Sequence, residues 1–282
     1  MQLVEFGKLP AVAIETADGA RAIVTLYGGH LVSWRTADGR ERLFCSSRSA
    51  LDGSRAIRGG VPLIFPQFGA RGPGPRHGFA RVSQWRLSGS GQDDGGAFAE
   101  FGLSEADLAP AAAAAWPFAF ELSLRVALHG AGLHLAFSVR NSGAEAFPFS
   151  AALHNYYLVD DVEDCALGGL QRVRFEDEHG AMALQEDAAL RFAGKLDRVY
   201  YQLPGPLTLN ATLGAAGAAL SLEQDGFTDA VVWNPGPADA AALADLDDAE
   251  YRRFICVEAA LIEPDLLAPG AEWTGLHRIT VI

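Results

Sequence analysis

Apolar and polar residues alternate along much of the chain. In the segment Phe120–Leu128 the even positions are apolar and most odd positions are polar, and in Leu133–Arg140 the odd positions are apolar. A period of two is typical of half-buried strands, because successive side chains of a strand point to opposite faces. The glycine-containing segment His129–Gly132 lies between the two, so together they predict a β-hairpin.

The same pattern predicts further strands, separated by turns rich in Gly, Pro, Asp and Asn: Arg21–Tyr27, Ala97–Leu103, Leu207–Leu213, Ala218–Glu223, Ala230–Trp233, Phe254–Leu261 and Leu276–Ile282. Helical signals are few: Ala238–Asp245 and a stretch near Ala181–Ala189 can each form two turns. The run Ala111–Ala115 favours helix by propensity, but it is too short to stand alone and is ended by Trp116 and Pro117. Gly89–Gly96 is predicted to be a loop. Many short strands with few short helices predict an all-β fold, either a sandwich or a barrel.

The organisation of the chain predicts one domain over residues 1–282. We find no internal repeat, heptad pattern or linker, and large all-β folds often exceed about 200 residues. No apolar run approaches the roughly 20 residues needed to cross a bilayer. The first ten residues lack the basic and then apolar layout of a secretory signal, so we expect a cytoplasmic protein.

The net charge of −13 argues against partners that are nucleic acids or anionic membranes, and no motif identifies a protein partner. Only two lysines are present, so nearly all the positive charge is arginine. Charges more than about 8 Å apart are largely screened at physiological salt, so a few arginines can still dominate one pocket. Three scattered cysteines, Cys45, Cys165 and Cys256, fit reduced thiols.

Motifs for cofactors and metals are absent from the sequence. It contains no GxxxxGK[ST], GxGxxG, HExxH or GxSxG, and its seven histidines have no metal-ligand spacing. We therefore predict neither a metal nor any other cofactor.

Two arginine-containing segments are candidates for ligand binding. Arg58 is followed by two glycines, which can leave room for a ligand, but it can equally lie on an exposed loop before a buried strand. Arg76, His77 and Arg81 fall within six residues. They can form an anion-binding edge or simply a solvated basic turn.

Two ionisable residues lie in apolar surroundings. If Ser150–Asp160 is a strand, His154 lies among aromatic residues, where a histidine is either part of the core or a catalyst. Glu258 interrupts seven apolar positions of a predicted strand. Burying a carboxylate is unfavourable by several kcal/mol unless it is paired or used, so we favour a functional role over exposure at a sheet edge. Asp197 and Trp233 can bind a sugar through hydroxyl contacts and stacking, but neither is unusual alone.

Taken in order, six segments resemble the glucose-6-phosphate 1-epimerase group of the aldose 1-epimerase (galactose mutarotase-like) superfamily. They span residues 58 to 259 and read RGGVPLIFPQFG, RHGFARVSQW, SAALHNYYLVDD, KLDRVY, TDAVVWNP and DDAEYRRFICVEA. The resemblance implies a large antiparallel β-sandwich, the galactose mutarotase-like supersandwich, with a few short helices. It also implies a catalytic pair, His154 and Glu258, and substrate contacts from Arg58, Arg81 and Asp197, with Arg76 or His77 nearby.

The chain departs from this group at two positions. Gly236 stands where relatives often have a second tryptophan, which leaves one wall of the pocket open. Arg76 stands where some relatives have an uncharged residue, and its charge can strengthen binding of a phosphate.

The resemblance and the chemistry of these residues together predict interconversion of the α and β anomers of a hexose 6-phosphate. Glu258 would remove the proton of the C1 hydroxyl and His154 would protonate the ring oxygen, with each charge favoured by the other. Arg58 and Arg81 would hold the phosphate, and Asp197 would orient hydroxyl groups. No group or electron is transferred, so this reaction needs no cofactor.

Other functions stay open at the sequence level. One is an aldose 1-epimerase for uncharged sugars, against which the arginines argue. Another is a non-catalytic sugar-binding protein on the same sandwich, since a fold does not determine a function. A third is a partner-binding sandwich without a sugar site, which would leave Glu258 unexplained.

Overall fold

The computed structural model describes residues 1–93, 96–211, 213 and 218–282. Within this part of the chain the secondary structure consists mainly of strands: β1 (Gln2–Phe6), β2 (Leu9–Glu15), β3 (Arg21–Thr25), β4 (His30–Arg35), β5 (Leu63–Ile64), β6 (Arg86–Asp93), β7 (Gly96–Ser104), β8 (Phe120–His129), β9 (Gly132–Asn141), β10 (Phe147–Leu153), β11 (Tyr156–Leu158), β12 (Ala166–Gly168), β13 (Arg174–Asp177), β14 (Met182–Leu184), β15 (Ala189–Arg191), β16 (Leu196–Tyr200), β17 (Leu207–Ala211), β18 (Ala218–Asp225), β19 (Asp229–Asn234), β20 (Phe254–Leu267) and β21 (Glu272–Val281). The helices of the described residues are α1 (Pro110–Ala115), α2 (Gly236–Ala242) and the 3₁₀ turns Ala80–Val82, Glu105–Asp107, Val162–Asp164 and Glu250–Arg253.

The strands form three sheets in which neighbours run antiparallel. A small sheet has the order β1-β2-β3-β4. A second has the order β14-β13-β16-β19-β20-β10-β5, with β11 paired to β20, and a third has the order β15-β12-β17-β18-β21-β9-β8-β7-β6. The predicted all-β antiparallel sandwich is thus confirmed.

The main hydrophobic core lies between the two large sheets. Phe149 of β10 packs against Trp273 of β21 with ring centroids 5.4 Å apart, and Phe65 lies 5.7 Å from Phe120 of β8. The alternation of β8 follows from this packing, because its apolar positions are buried and most of its polar positions face outward. The predicted hairpin of β8 and β9 is confirmed in register from Phe120–Asn141 pairing to His129–Gly132 pairing.

The first part of strand β20, Phe254–Ala260, is buried on both faces, which positions the candidate site. Ile255, Val257 and Ala259 point into the main core. Phe254 and Cys256 belong to a second buried cluster on the opposite face of the sheet. Because this part of β20 lies between β19 and β10, exposure at a sheet edge is excluded for Glu258.

Some local predictions differ from the structure. The predicted helix Ala181–Ala189 is wrong: the segment contributes strands β14 and β15, since pairing with β13 and β12 overrides its alanine content. The predicted loop Gly89–Gly96 is instead the end of the β6–β7 hairpin, with residues 94 and 95 outside the described part. The predicted helix near Ala238 begins at Gly236 and ends at Ala242.

The predicted strands agree with the structure apart from their ends. Strand β17 ends at Ala211, and residue 212 of the predicted segment Leu207–Leu213 lies outside the described residues. The segment Ser150–Asp160 is two strands, with His154 and Asn155 between them. No helix in the described part of the chain is both long and apolar enough to span a bilayer.

Candidate active site

One cavity, of about 330 Å³, collects the residues that the sequence analysis singled out. It opens on the face of the β16-β19-β20 sheet that is turned away from the main core. Its lining residues are Arg58, Phe68, Arg76, His77, Arg81, His154, Asp197, Val231, Trp233, Leu243 and Glu258. All eight predicted site residues are among them, and the volume is in the range of small-ligand sites.

Strand register explains why residues distant in sequence meet in this cavity. Asp197 of β16 pairs with Trp233 of β19, and Trp233 pairs with Cys256 of β20. Two residues further along, Val231 pairs with Glu258. Paired residues of adjacent strands point to the same face, and so do positions two apart, so Asp197, Trp233 and Glu258 face the same cavity.

His154 and Glu258 form a close, buried pair. The Nε2 atom of His154 lies 3.3 Å from Oε1 of Glu258, and the two residues are 7% and 1% exposed. His154 follows the end of β10, and its backbone N–H donates to Pro62 O at 3.1 Å. Its ring stacks on Tyr156, with centroids 4.8 Å apart and 8° between the planes.

Each member of this pair has one polar side-chain atom that forms no hydrogen bond with the described residues and is available to a ligand. The Nδ1 atom of His154 and the Oε2 atom of Glu258 are buried and have no hydrogen-bond partner among the described residues. Leaving such atoms unsatisfied is unfavourable, and unpaired buried polar groups are characteristic of functional sites.

Burial shifts the protonation of the pair away from the doubly charged form. It lowers the pKa of His154 well below its usual value, and the nearby His77, Arg81 and Arg58 act in the same direction. Burial raises the pKa of Glu258 well above its usual value, and Asp197 adds to this rise. The expected mutual stabilisation of two charges is therefore opposed by desolvation in the free protein.

The loop from Gln67 to Arg81 brings a second histidine to the cavity. The buried Gln67 side chain holds this loop, since its Oε1 accepts from the Gly74 N–H at 2.7 Å and its Nε2 donates to Gly74 O at 3.1 Å. His77 Nδ1 accepts from the Gly69 N–H at 3.2 Å. Burial, reinforced by Arg81 and Arg76, lowers the pKa of His77 to about 3. His77 is thus neutral near pH 7, with its proton on Nε2.

Arg81 and Arg76 supply positive charge at the same end of the cavity. Arg81 Nη2 donates to the backbone oxygen of Arg76 at 2.9 Å, while its buried Nε has no partner among the described residues. Neither side chain forms an ion pair with a described carboxylate. Burial raises the pKa of Asp197 on the facing strand, an effect that Arg76 partly offsets. This end of the cavity can therefore accept an anion.

Arg58 is held differently from Arg81. Its Nε and Nη2 donate to the Asp245 carboxylate at 3.1 to 3.3 Å, and its Nη1 donates to the Tyr156 hydroxyl at 3.1 Å. The two glycines that follow Arg58 serve the fold rather than access to a ligand. A Cβ at Gly59 would lie 2.4 Å from Cys45 Cα, and a Cβ at Gly60 would lie 2.2 Å from Leu31 O.

Trp233 forms one wall of the cavity and is held by the residues after it. The Asn234 side chain donates to Tyr251 O and Phe254 O at 2.8 Å and accepts from the Gly236 N–H at 2.9 Å. Gly236 has φ +63°, and a Cβ there would lie 2.6 Å from Lys195 N. A tryptophan at position 236 would not fit this backbone without a shift of the neighbouring chain at Lys195.

Sequence reasoning missed four residues of the site. Asp245 gives no sequence signal, because it is one of several acidic residues in an acidic segment. Phe68, Val231 and Leu243 line the cavity as ordinary apolar residues. Only the closure of distant segments on one another brings these side chains to the site.

A larger cavity, of about 540 Å³, lies elsewhere and is mostly apolar. Its walls include Phe79, Trp116 and Phe149. Its charged lining residue, Arg71, donates to Glu176 at 2.8 Å. Lacking an acid–base pair among its described lining residues, it is a weaker candidate for chemistry than the smaller cavity. No three His, Cys, Asp or Glu side chains in the described part of the chain are grouped as metal ligands.

Comparison with known families gives a match over nearly the whole chain. The family model described as Aldose 1-epimerase matches residues 10–280. This range includes every residue that lines the smaller cavity.

Two curated relatives are similar over most of their length. A protein of Cenchrus ciliaris named "Putative glucose-6-phosphate 1-epimerase" is 35% identical over 287 residues, covering 97% of this chain and 85% of the relative. A protein of Escherichia coli (strain K12) with the same name is 31% identical over 244 residues, covering 85% of this chain and 79% of the relative.

Solved structures have the same fold. The crystal structure of a "putative mutarotase" from Salmonella typhimurium superposes with a TM-score of 0.87 at 26% identity, covering 100% of this chain and 96% of that one. Galactose 1-epimerase from Lactobacillus acidophilus NCFM superposes with a TM-score of 0.76 at 15% identity, covering 100% of this chain and 98% of the other. The second likeness concerns the fold alone.

Proposed function

Since this chain belongs to the aldose 1-epimerase family of sugar-anomer isomerases, we propose that it interconverts the α and β anomers of hexose 6-phosphates, with glucose 6-phosphate the foremost substrate. The observation that carries the proposal is the buried His154–Glu258 pair in one cavity with Arg76 and Arg81, which form no ion pair with a carboxylate of the described residues. The reaction would run without a cofactor. A cytoplasmic location stays a prediction.

The pair has the chemistry that ring opening requires. The Glu258 carboxylate takes the proton of the C1 hydroxyl while the C1–O5 bond breaks and C1 becomes an aldehyde carbon. His154 gives its proton to O5. Rotation about the C1–C2 bond exposes the other face of the aldehyde, and the two proton transfers then run in reverse as O5 attacks that face. Each acid–base group of this kind contributes typically about 10²- to 10⁴-fold.

One proton held by the pair suffices for the whole cycle. With a charged Glu258 and a charged His154 the pair holds one proton, and with both neutral it also holds one. Ring opening converts the first form to the second, and closure restores the first. Burial favours the neutral form in the free protein, so binding of substrate must favour the charged form for ring opening to begin.

The phosphate of the substrate can make this change. Arg81 and Arg58 are among the charges that lower the pKa of His154. A phosphate dianion bound to these arginines would offset their charge and raise the pKa of His154 toward its usual value. The anion would then both anchor the sugar and favour the protonated acid, which supports a phosphorylated substrate.

The remaining lining residues suit the sugar ring. Trp233 offers an aromatic face, and His77 Nε2 is a neutral donor for an oxygen atom. Asp197 faces the same cavity from β16, where it can accept hydrogen bonds from hydroxyl groups. These three contacts position C1 and O5 at the acid–base pair.

A second candidate is an aldose 1-epimerase for uncharged sugars. The ion pair between Arg58 and Asp245 favours it, because that pairing reduces the net positive charge available to a phosphate. The two candidates make different predictions for the same experiment, because only the first requires the 6-phosphate.

Magnetisation-transfer NMR on equilibrated glucose 6-phosphate, with and without the protein, tests the proposal. Glucose at the same concentration is the control. Acceleration confined to glucose 6-phosphate is the expected result. Equal acceleration of both sugars would favour the second candidate, and acceleration of neither would leave a sugar-binding protein without catalysis.

A further inference from the structure

Asp245 holds the guanidinium of Arg58 from outside the cavity. One carboxylate oxygen accepts from Nε at 3.3 Å and from Nη2 at 3.1 Å, and the other accepts from Nη2 at 3.1 Å. Both side chains are mostly buried, with exposed fractions of 17% for Asp245 and 21% for Arg58. Two-point pairing of this kind restricts a guanidinium to one plane.

The backbone of Arg58 is held by the same part of the structure. Its N–H donates to Ser49 Oγ at 2.9 Å, and its carbonyl oxygen accepts from the Ser46 N–H at 2.9 Å. Glu250, five residues after Asp245, accepts from Ser46 Oγ at 2.7 Å. The segment before β20 therefore binds both the side chain of Arg58 and the turn from which Arg58 projects.

Arg58 in turn contacts the residue on which His154 packs. Its Nη1 donates to the Tyr156 hydroxyl at 3.1 Å, and the Tyr156 ring stacks on the imidazole of His154. A continuous set of contacts thus runs from Asp245 through Arg58 and Tyr156 to His154. Nη1 carries a second N–H group that these contacts do not use, and Arg58 lines the cavity.

We propose that Asp245 is a positioning residue, which orients Arg58 toward the anionic group of the substrate and thereby couples anion binding to the placement of His154. This inference rests on the proposed function. It assigns to Asp245 a role opposite to the one that its charge alone would have. A carboxylate near a phosphate site repels the phosphate, whereas a carboxylate that holds Arg58 in a productive orientation strengthens binding.

The variant Asp245→Asn separates these two effects by the sign of the change. It keeps the size of the side chain but removes the charge and the second carboxylate oxygen that accepts from Nη2. If orientation dominates, the Kd for glucose 6-phosphate, measured by titration calorimetry, rises by about 10-fold, because a charge-assisted hydrogen bond to the anion is weakened. The Kd for glucose stays unchanged. An unchanged or lower Kd for glucose 6-phosphate would overturn the inference.

Asp247→Asn is the matched control, because it removes the same charge two residues away. Asp247 pairs with Arg48 at 3.2 Å on the surface and does not line the cavity. We expect the Kd for glucose 6-phosphate to be unaffected. A rise equal to that of Asp245→Asn would show a general structural effect of substitution in this segment and contradict the inference.

A double variant tests whether Asp245 acts through Arg58. If it does, Arg58→Gln with Asp245→Asn binds glucose 6-phosphate as weakly as Arg58→Gln alone. Additive losses would instead indicate an independent structural role and overturn the proposal.

If Asp245→Asn does not fold, Tyr156→Phe is the alternative test, because it removes the hydroxyl that accepts from Arg58 Nη1. The Kd for glucose 6-phosphate should rise and the Kd for glucose should not. A Kd for glucose 6-phosphate equal to that of the wild type would overturn the coupling.

The wild-type protein separates failure of this inference from failure of the proposed function. Binding of glucose 6-phosphate and acceleration of its anomerisation by the wild type, with unchanged Kd in the variants, would contradict the inference alone. Absence of binding by the wild type would overturn the proposed function, and the inference with it.

Discussion

The imidazole of His154 and the carboxyl of Glu258 lie 3.3 Å apart in a site that excludes nearly all solvent from both groups. In water such a pair would be two charges between about pH 4.3 and 6.5, the usual pKa values of the two groups. Here desolvation opposes both charges, and the arginines of the cavity further disfavour a positive His154. The pair is therefore best described as two groups that share one proton.

This sharing predicts a neutral His154 in the free protein. The ¹⁵N chemical shifts of its ring, measured between pH 5.5 and 8, should be those of a neutral imidazole without a step near the usual pKa of about 6.5. Adding glucose 6-phosphate should move them toward imidazolium values, because the phosphate offsets the nearby arginines. An imidazolium pattern in the free protein at pH 7 would contradict this prediction.

Replacing either member of the pair should abolish most of the catalysis without loss of the fold. For His154→Asn and Glu258→Gln we expect kcat for glucose 6-phosphate to fall by about 10²- to 10⁴-fold. The matched controls are His134→Asn and Glu272→Gln, at strand positions outside the cavity. Thermal unfolding checks that each variant is folded. Full anomerisation rates in the folded catalytic variants would exclude the assigned roles.

Arg81 should determine preference for a phosphorylated sugar. Because its buried Nε has no partner among the described residues, it can bind an anion without first breaking an ion pair. Arg81→Gln should raise KM for glucose 6-phosphate by about 10- to 100-fold. The rate of glucose anomerisation with this variant should stay within about twofold of the rate with the wild type. Arg86→Gln, which removes an exposed arginine on β6, is the control. Equal losses on both sugars would indicate a structural role for Arg81.

Three buried histidines should make the protein sensitive to acid. Burial lowers the pKa of His30 and of His277 to about 4, and burial with nearby arginines lowers that of His77 to about 3. Below pH 6.5 the unfolded chain takes up protons that the folded protein does not. Each histidine should therefore lower the free energy of unfolding by about 1.4 kcal/mol per pH unit from pH 6.5 toward 4.

The acid–base pair should not add to this slope. Between about pH 4.5 and 6.5 the unfolded chain binds one proton on His154, and the folded pair also holds one. Urea unfolding at pH 7, 6 and 5 measures the slope. In His277→Gln the dependence of the free energy of unfolding on pH should be weaker by about 1.4 kcal/mol per pH unit, the contribution of one histidine. An unchanged pH dependence would show that His277 does not contribute to the acid sensitivity.

The sequence by itself predicted the class of fold and eight residues that the structure brings to one cavity. Alternation over β8 and β9 predicts the hairpin because the period of side chains in a strand is two. Glu258 stands out because both faces of its strand are apolar, and a carboxylate there must be buried. These signals are local, since they depend only on residues that are neighbours along the chain.

Only the tertiary structure decided how the site residues are held and charged. Arg58 and Asp245 are 187 residues apart, and nothing near either one indicates their pairing. The break between β10 and β11 at His154, and the strands in place of a helix at Ala181–Ala189, likewise depend on pairing with distant strands. The shared proton of His154 and Glu258 depends on burial and on arginines from other loops, because desolvation and Coulomb energies are set by distances in space rather than by separation in sequence.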